Sequence, residues 1–198
     1  DGATAQCLED FAITRVLPGL TVLSPVDAIE AKKATIAMAD ICGPVYMRLG
    51  RAPYPIITKE SDRFEVGKAN LMREGKDAAI IATGLMVSES LKAADILSKA
   101  GIEAKVINIH TIKPIDDETI IKAARQTGAV VTAEEHQIHG GLGSAVAEVL
   151  SRNHPVPIEM VAVQDTFGES GDAEGLLKKY HLKDADIVNA VKNVLKRK

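Results

Sequence analysis

The chain has 198 residues, 46% hydrophobic and 26% charged, the make-up of an ordinary globular protein with room for one large or two small domains. A net charge of −3, with three Phe, three Tyr and no Trp, supplies neither the basic field nor the stacking surface that nucleic acid requires as a partner. No apolar run approaches the ~18 residues that span a bilayer, and the start "DGATAQCLED" lacks the basic and apolar regions of a signal peptide, so no membrane is expected and a cytoplasmic location is.

From Gln6 to Leu17, Leu8, Phe11, Ala12 and Val16 recur at helical spacing until Pro18-Gly19 stops the pattern. "LTVLSPV" reads as a buried strand, and Asp27 with Glu30 forms a capping box that opens a helix carrying Ile29, Ala34, Ile36 and Ala37. "GPVYMRLGR" is the next strand. This order of helices and strands is that of an α/β layer with a parallel sheet. "APYPIITKES" has two prolines and no period, so residues 52–63 are expected to link two domains, 1–51 and 64–198. Beyond it, "REGKD" suits a hairpin turn into the apolar run "AAIIATG".

Helices are expected over Ser88–Ala100, with Leu91, Ala94, Ile96 and Leu97 inward, over Asp116–Gln126 and over Gly143–Asn153. They alternate with the strands "AKVINIH", "GAVVTAEE" and "PIEMVAVQ", and two helices follow at Asp172–His181 and Asp184–Leu195. The expected fold is thus α/β, a truncated parallel-sheet segment followed by a three-layer α/β domain with a mostly parallel sheet. Two strands and two helices cannot cover both faces of such a sheet, so the rest of the first domain is expected to precede Asp1. Cys7 and Cys42 are too few for a disulfide framework and are expected as small buried hydrophobes.

The densest stretch in polar chemistry is "EEHQIHGGLGSAVAEVL", residues 134–150. His136 and His139 are three apart, with the glutamates before them, which is the wrong spacing for a helical zinc site, and no metal is expected there. Gly140, Gly141 and Gly143 follow a strand and precede a helix, so their N–H groups are a possible anion-binding loop at the positive end of the helix dipole; alternatively the glycines only permit a tight turn. Ser144 lacks a nucleophile elbow and is set aside as a catalytic candidate. His110 is expected to be a packed structural histidine. Arg48 and Arg51 stand at the carboxyl end of the strand "PVYM", the edge where open α/β sheets bind ligands, and two guanidinium forks suit a phosphate; an interdomain salt bridge is the alternative. Asp1, in an Asp-Gly pair, is first of all turn chemistry.

The segments "DGATAQCLEDFAITRVLPGLTVLSPVDAIEAKKA", "VYMRLGR", "INIHTIKPIDDETI", "EEHQIHGGLGSAVAEVL" and "FGESGDAEGLLKKYHL" occur in the order found in transketolases, and the resemblance covers essentially the whole chain. It implies the late part of a pyrimidine-binding domain, a linker and a complete C-terminal domain, in a dimeric thiamine-diphosphate and magnesium enzyme that moves a two-carbon ketol unit between sugar phosphates. By this resemblance Asp1 matches an aspartate that contacts a substrate hydroxyl, and Arg51 matches the arginine of a Ser-Arg pair that holds the substrate phosphate. Gly50 stands where that pair has its serine, and Ala5 where the family has a histidine. The resemblance also implies that the cofactor's glutamate, diphosphate and metal ligands lie outside this chain, which alone is expected to bind no cofactor, to be inactive, and to work as a homodimer or with an N-terminal transketolase subunit. Deoxyxylulose-phosphate synthases and the beta subunits of 2-oxoacid dehydrogenases share some of these motifs. A non-catalytic dimerisation or anion-binding module is the reading from another class.

Overall fold

The computed structural model describes residues 2–198. In chain order it contains α1 (Asp10–Arg15), β1 (Thr21–Leu23), α2 (Ala28–Met38), β2 (Val45–Met47), β3 (Asn70–Arg73), β4 (Ala78–Ala82), α3 (Met86–Lys99) and β5 (Ala104–Asn108). These are followed by β6 (Thr111–Lys113), α4 (Asp117–Thr127), β7 (Val130–Gln137), α5 (Leu142–Asn153), β8 (Ile158–Val163), α6 (Ala173–Lys179) and α7 (Asp184–Leu195). The fold is α/β with mostly parallel sheets.

The larger sheet has the order β3-β5-β4-β7-β8, with only β3 antiparallel. Its central strand shows why a continuous apolar run works here: Ala78, Ile80 and Ala82 pack on one face with Met86, Val87 and Leu97 of α3 and Ile187, Val191 and Val194 of α7. Ala79 and Ile81 pack on the other, with Ile120 and Ala124 of α4 and Leu142, Val146 and Leu150 of α5. Both faces are covered, so there is no polar alternation to read, and each buried isoleucine contributes about 1.5–3 kcal/mol. The chain passes from β4 to β5 on one side and later to β7 on the other. The crevice between the carboxyl ends of β4 and β7 is therefore the topological switch point of this sheet.

The smaller sheet, β2-β1-β6, joins two parallel strands to an antiparallel third that comes from the other side of residues 52–63. No strand or helix occurs within residues 52–63, but the stretch is anchored: Asp27, besides capping α2 through Glu30 N–H at 2.9 Å, accepts from the N–H groups of Ile57 and Thr58 at 2.8 and 2.7 Å. Phe11 and Val22 belong to the α4/α5 side of the large-sheet core, so the small sheet is built onto the carboxyl edge of the large one.

Several expectations need correction. The "REGKD" hairpin does not form, because β5 lies between β3 and β4 and pairs with both. Ile96 points outward, at 43% exposure. Cys7 and Cys42 are exposed rather than buried, each lying outside the helices and strands. Strand β7 runs on to Gln137, so His136 is part of the strand and the connecting loop is shorter than expected. His110 is fully buried and stacks on Phe64 at 4.3 Å, a packed histidine whose burial lowers its pKa to about 4.

Candidate functional site

A cleft of about 780 Å³ opens where the end of β2 faces the switch point. Its walls include Tyr46, Arg48, Arg51 and Tyr54 on the small-sheet side and Leu85 and Glu135 on the large-sheet side, with the segment around α6 closing the far end. The Arg48 N–H donates to the Leu23 carbonyl at 2.9 Å, which continues the β1–β2 ladder one step and launches the loop that carries Arg51.

Set into this wall is a polar cluster centred on Asp10, which lines the cleft but is only 4% exposed. Tyr46 donates its hydroxyl proton to Asp10 Oδ2 at 2.8 Å, and Arg48 Nε lies 3.5 Å from the same oxygen. The Arg48 guanidinium also sits 5.0 Å over the Phe11 ring, whose other neighbour is the His136 imidazole, stacked at 5.1 Å. Arg48 is thus fixed by an ion pair and a ring. Burial raises the Tyr46 phenol pKa far above its ordinary range, with Asp10 adding to the effect, so the group remains a neutral donor.

His136 Nε2 accepts from the Ala12 N–H at 3.3 Å, which leaves Nδ1 as the donor to the Gln137 carbonyl at 2.7 Å. That assignment is a neutral imidazole, and burial accordingly holds the His136 pKa below its ordinary value. Next to it, Glu134 is wholly buried and accepts from the N–H groups of Leu142 and Gly143 at 2.6 and 2.8 Å. Burial pushes its pKa up to about 7, against the pull of those two donors. These amides at the start of α5 are the ones a loop-bound anion would use. The possible anion-binding loop at Gly140, Gly141 and Gly143 is corrected on that ground: the chain's own carboxylate sits there, and Gly140 N–H is spent on Ser144 Oγ at 2.8 Å.

The glycines instead serve close packing. A Cβ on Gly141 would overlap the Glu134 carboxylate, and one on Gly140, whose φ is +80°, would come within 2.5 Å of Ala12 Cβ. Arg15 reaches the Gly140 carbonyl at 2.6 Å and Glu148 at 2.9 Å, and the Gln137 N–H meets the Leu8 carbonyl at 2.7 Å. The histidine-glycine stretch is a clamp on α1, the helix that carries Asp10.

Of the residues singled out in the sequence, Arg48 and Arg51 share the cleft wall, while Gly140, Gly141 and Gly143 do not line it. Asp1 lies outside the described residues. Asp10, Tyr54 and Glu135 went unread. Glu135 had a usable signal, since period-two alternation in β7 turns it to the opposite face from Glu134 and His136.

Residues 67–187 match the family described as Transketolase, C-terminal domain. The 6-deoxy-6-sulfo-D-fructose transketolase subunit SqwH of Clostridium sp. (strain MSTE9) is 48% identical over 198 residues, 100% of this chain and 62% of that protein. The putative transketolase C-terminal section of Methanocaldococcus jannaschii is 42% identical over 200 residues, again 100% of this chain and 62% of the relative. A 1-deoxy-D-xylulose-5-phosphate synthase of Caldanaerobacter subterraneus is 36% identical over 195 residues, 96% of this chain and 31% of that enzyme. A solved structure described as a split gene transketolase, inactive beta4 tetramer, superposes with a TM-score of 0.94 at 45% identity, covering 99% of this chain and 64% of that one. The chain therefore spans less than two thirds of these relatives, and with its family match, its coverage by close relatives and its fold it belongs to the transketolase family.

Proposed function

We propose that this chain is the C-terminal portion of a thiamine-diphosphate-dependent transketolase that transfers a two-carbon ketol unit between sugar phosphates, and that its part is to hold the anionic end of the sugar. The observation that carries this reading is the presence of Arg48 and Arg51 on one wall of a cleft at the switch point. Arg51 is exposed on that wall and matches the family's phosphate arginine by resemblance, so it is proposed as the principal phosphate ligand; a guanidinium fork there fixes the sugar so that its carbonyl end is presented at a constant distance from the anion. Relatives named for 6-deoxy-6-sulfo-D-fructose and for apulose 4-phosphate support a substrate with an anionic end. Asp1, by family resemblance, is proposed to contact a substrate hydroxyl.

The cofactor implied by the family supplies the carbanion chemistry when bound, but the described residues do not fit it. Among them no group of three or more His, Cys, Asp or Glu side chains is arranged to hold a metal, and the buried carboxylates of Glu30 and Glu134 are engaged by Val26, Asn108, Leu142 and Gly143. Cofactor and magnesium are accordingly proposed to be held by residues outside this chain, the chain itself working as a homodimer or with an N-terminal subunit. Ile13, Val16, Leu17, Ile36 and Leu49, exposed on the small-sheet side, support such a partner. Among the described residues no helix is long and apolar enough to cross a membrane; a cytoplasmic site of action is proposed.

Xylulose 5-phosphate and ribose 5-phosphate, offered with thiamine diphosphate and magnesium to the chain alone and to the chain with the complementary subunit, test the reading. Turnover is expected only in the second case. Turnover by the chain alone overturns it, and turnover of pyruvate in place of the ketose phosphate favours the deoxyxylulose-phosphate synthase alternative.

A further inference from the structure

The glycine that replaces the serine of the Ser-Arg pair is not an empty position. A Cβ built on Gly50 would overlap Oη, Cζ and Cε1 of Tyr54, so the phenol lies where a side chain at position 50 would be. The two residues are mutually exclusive with a serine there, and the tyrosine brings a hydroxyl of its own. Arg48, Gly50, Tyr54, Leu85 and Glu135 together line a notch at the base of the cleft.

Resting on the sugar-phosphate reading above, we propose that Tyr54 is a specificity-determining residue of this site: its hydroxyl, parked on Glu135, turns to the substrate's anion beside Arg48 and Arg51 and sets the preference for sugars with an anionic end. Two observations separate Tyr54 from Tyr46, the other tyrosine on this wall. The Tyr46 proton is committed to buried Asp10 at 2.8 Å, whereas Tyr54 reaches Glu135 Oε2 only at 3.4 Å, well beyond the 2.5–3.0 Å of a good O–H···O bond. Little is lost when so long a bond is exchanged for a short charge-assisted one to an oxyanion. Both tyrosines line the cleft, but Glu135 is half-buried there while Asp10 is only 4% exposed, so the partner of Tyr54 is the one whose place a ligand can more readily take. Burial, with Glu135 adding to it, holds the phenol far above its ordinary pKa range, and the group remains a proton donor at neutral pH.

The test is the binding of ribose 5-phosphate and of ribose, by calorimetry, to the assembled transketolase carrying Tyr54→Phe, which keeps the ring and deletes only the hydroxyl. A fall of roughly 10- to 150-fold in the preference for the phosphorylated sugar is expected, the size of one hydrogen bond to a charged group. Tyr54→Ala should lose at least as much, and Gly50→Ser/Tyr54→Ala should recover part of it, because the serine hydroxyl then has room. An unchanged preference in Tyr54→Phe, with Arg51→Ala still weakening ribose 5-phosphate, overturns this inference and leaves the anion reading standing. If neither variant changes it, both fall.

Discussion

The two sheets of this molecule are built on different terms. The five-stranded sheet is covered on both faces at its centre, where Ile80, Ile81 and Val131 have no exposed surface. The three-stranded sheet has three-residue strands, its edge strand β2 is only half-buried, and apolar residues beside it are open to solvent, Val16 at 73% and Ile36 at 63%. Yet Arg48 and Arg51 both hang from β2. A strand that contributes little cohesion of its own therefore presents the candidate ligands, and its geometry depends on contacts with the better-packed neighbour: His136 and Phe11 behind Arg48, Arg15 on the glycine loop, Asp27 on residues 57 and 58.

The difference closes where β1 enters the shared core. Ile81→Ala should cost about 4 kcal/mol, and Val22→Ala, equally buried in the same cluster but losing a smaller side chain, about 2 kcal/mol; urea unfolding of the two variants measures this, and a loss at Val22 well under half that at Ile81 would mean that the small sheet is held more loosely than its burial indicates. Gly141→Ala strikes the clamp between them. Its methyl would overlap the buried Glu134 carboxylate, and a loss of about 3 kcal/mol is expected in the same assay.

Protonation gives a third comparison. Glu30 and Glu134, each raised to about 7 from 4.5, keep a proton in the fold that the unfolded chain has released, so they withdraw stability as pH climbs from about 4.5 to 7. His110, lowered to about 4, and His136, also lowered by burial, are neutral in the fold while the unfolded chain is charged, so they add stability as pH rises towards 6.5. The two pairs act in opposite directions. His110→Phe removes one rising contribution, and its stability should then fall by on the order of 2 kcal/mol between pH 4.5 and 7 relative to the wild type; a parallel pH profile would show that His110 does not titrate as its burial requires. The smallest effect is expected for Arg15→Ala, about 1–1.5 kcal/mol from the lost contacts to Gly140 and Glu148, with proteolytic cleavage near α1 rising before the large sheet becomes susceptible.

What the sequence disclosed follows the same division. The helices were legible from their 3.6-residue period, β4 from its apolar run, and the start of α2 from Asp27, whose cap is present in the structure. Strand β6 was not, because Thr-Ile-Lys is too short to carry a period and its partner β1 lies about ninety residues earlier. The five-stranded order was out of reach for the same reason, since β3 and β4 are close in sequence but separated by β5. Arg48 and Arg51 were legible as ligand-edge residues from their place at a strand's end. Tyr54 was not, sitting in a proline-rich stretch with no period, and its relation to Gly50 exists only in three dimensions. The stretch richest in chemistry misled for a physical reason: Glu134 satisfies the very amides that made the glycine loop look receptive.

The central claim is that the small sheet's arginines hold a substrate anion at the switch point of the large one. Binding of ribose 5-phosphate against ribose to the assembled enzyme, with and without Arg51→Ala, tests it most directly. A roughly 10- to 100-fold loss confined to the phosphorylated sugar is the predicted result; equal affinities for ribose 5-phosphate in the variant and the wild type would contradict it.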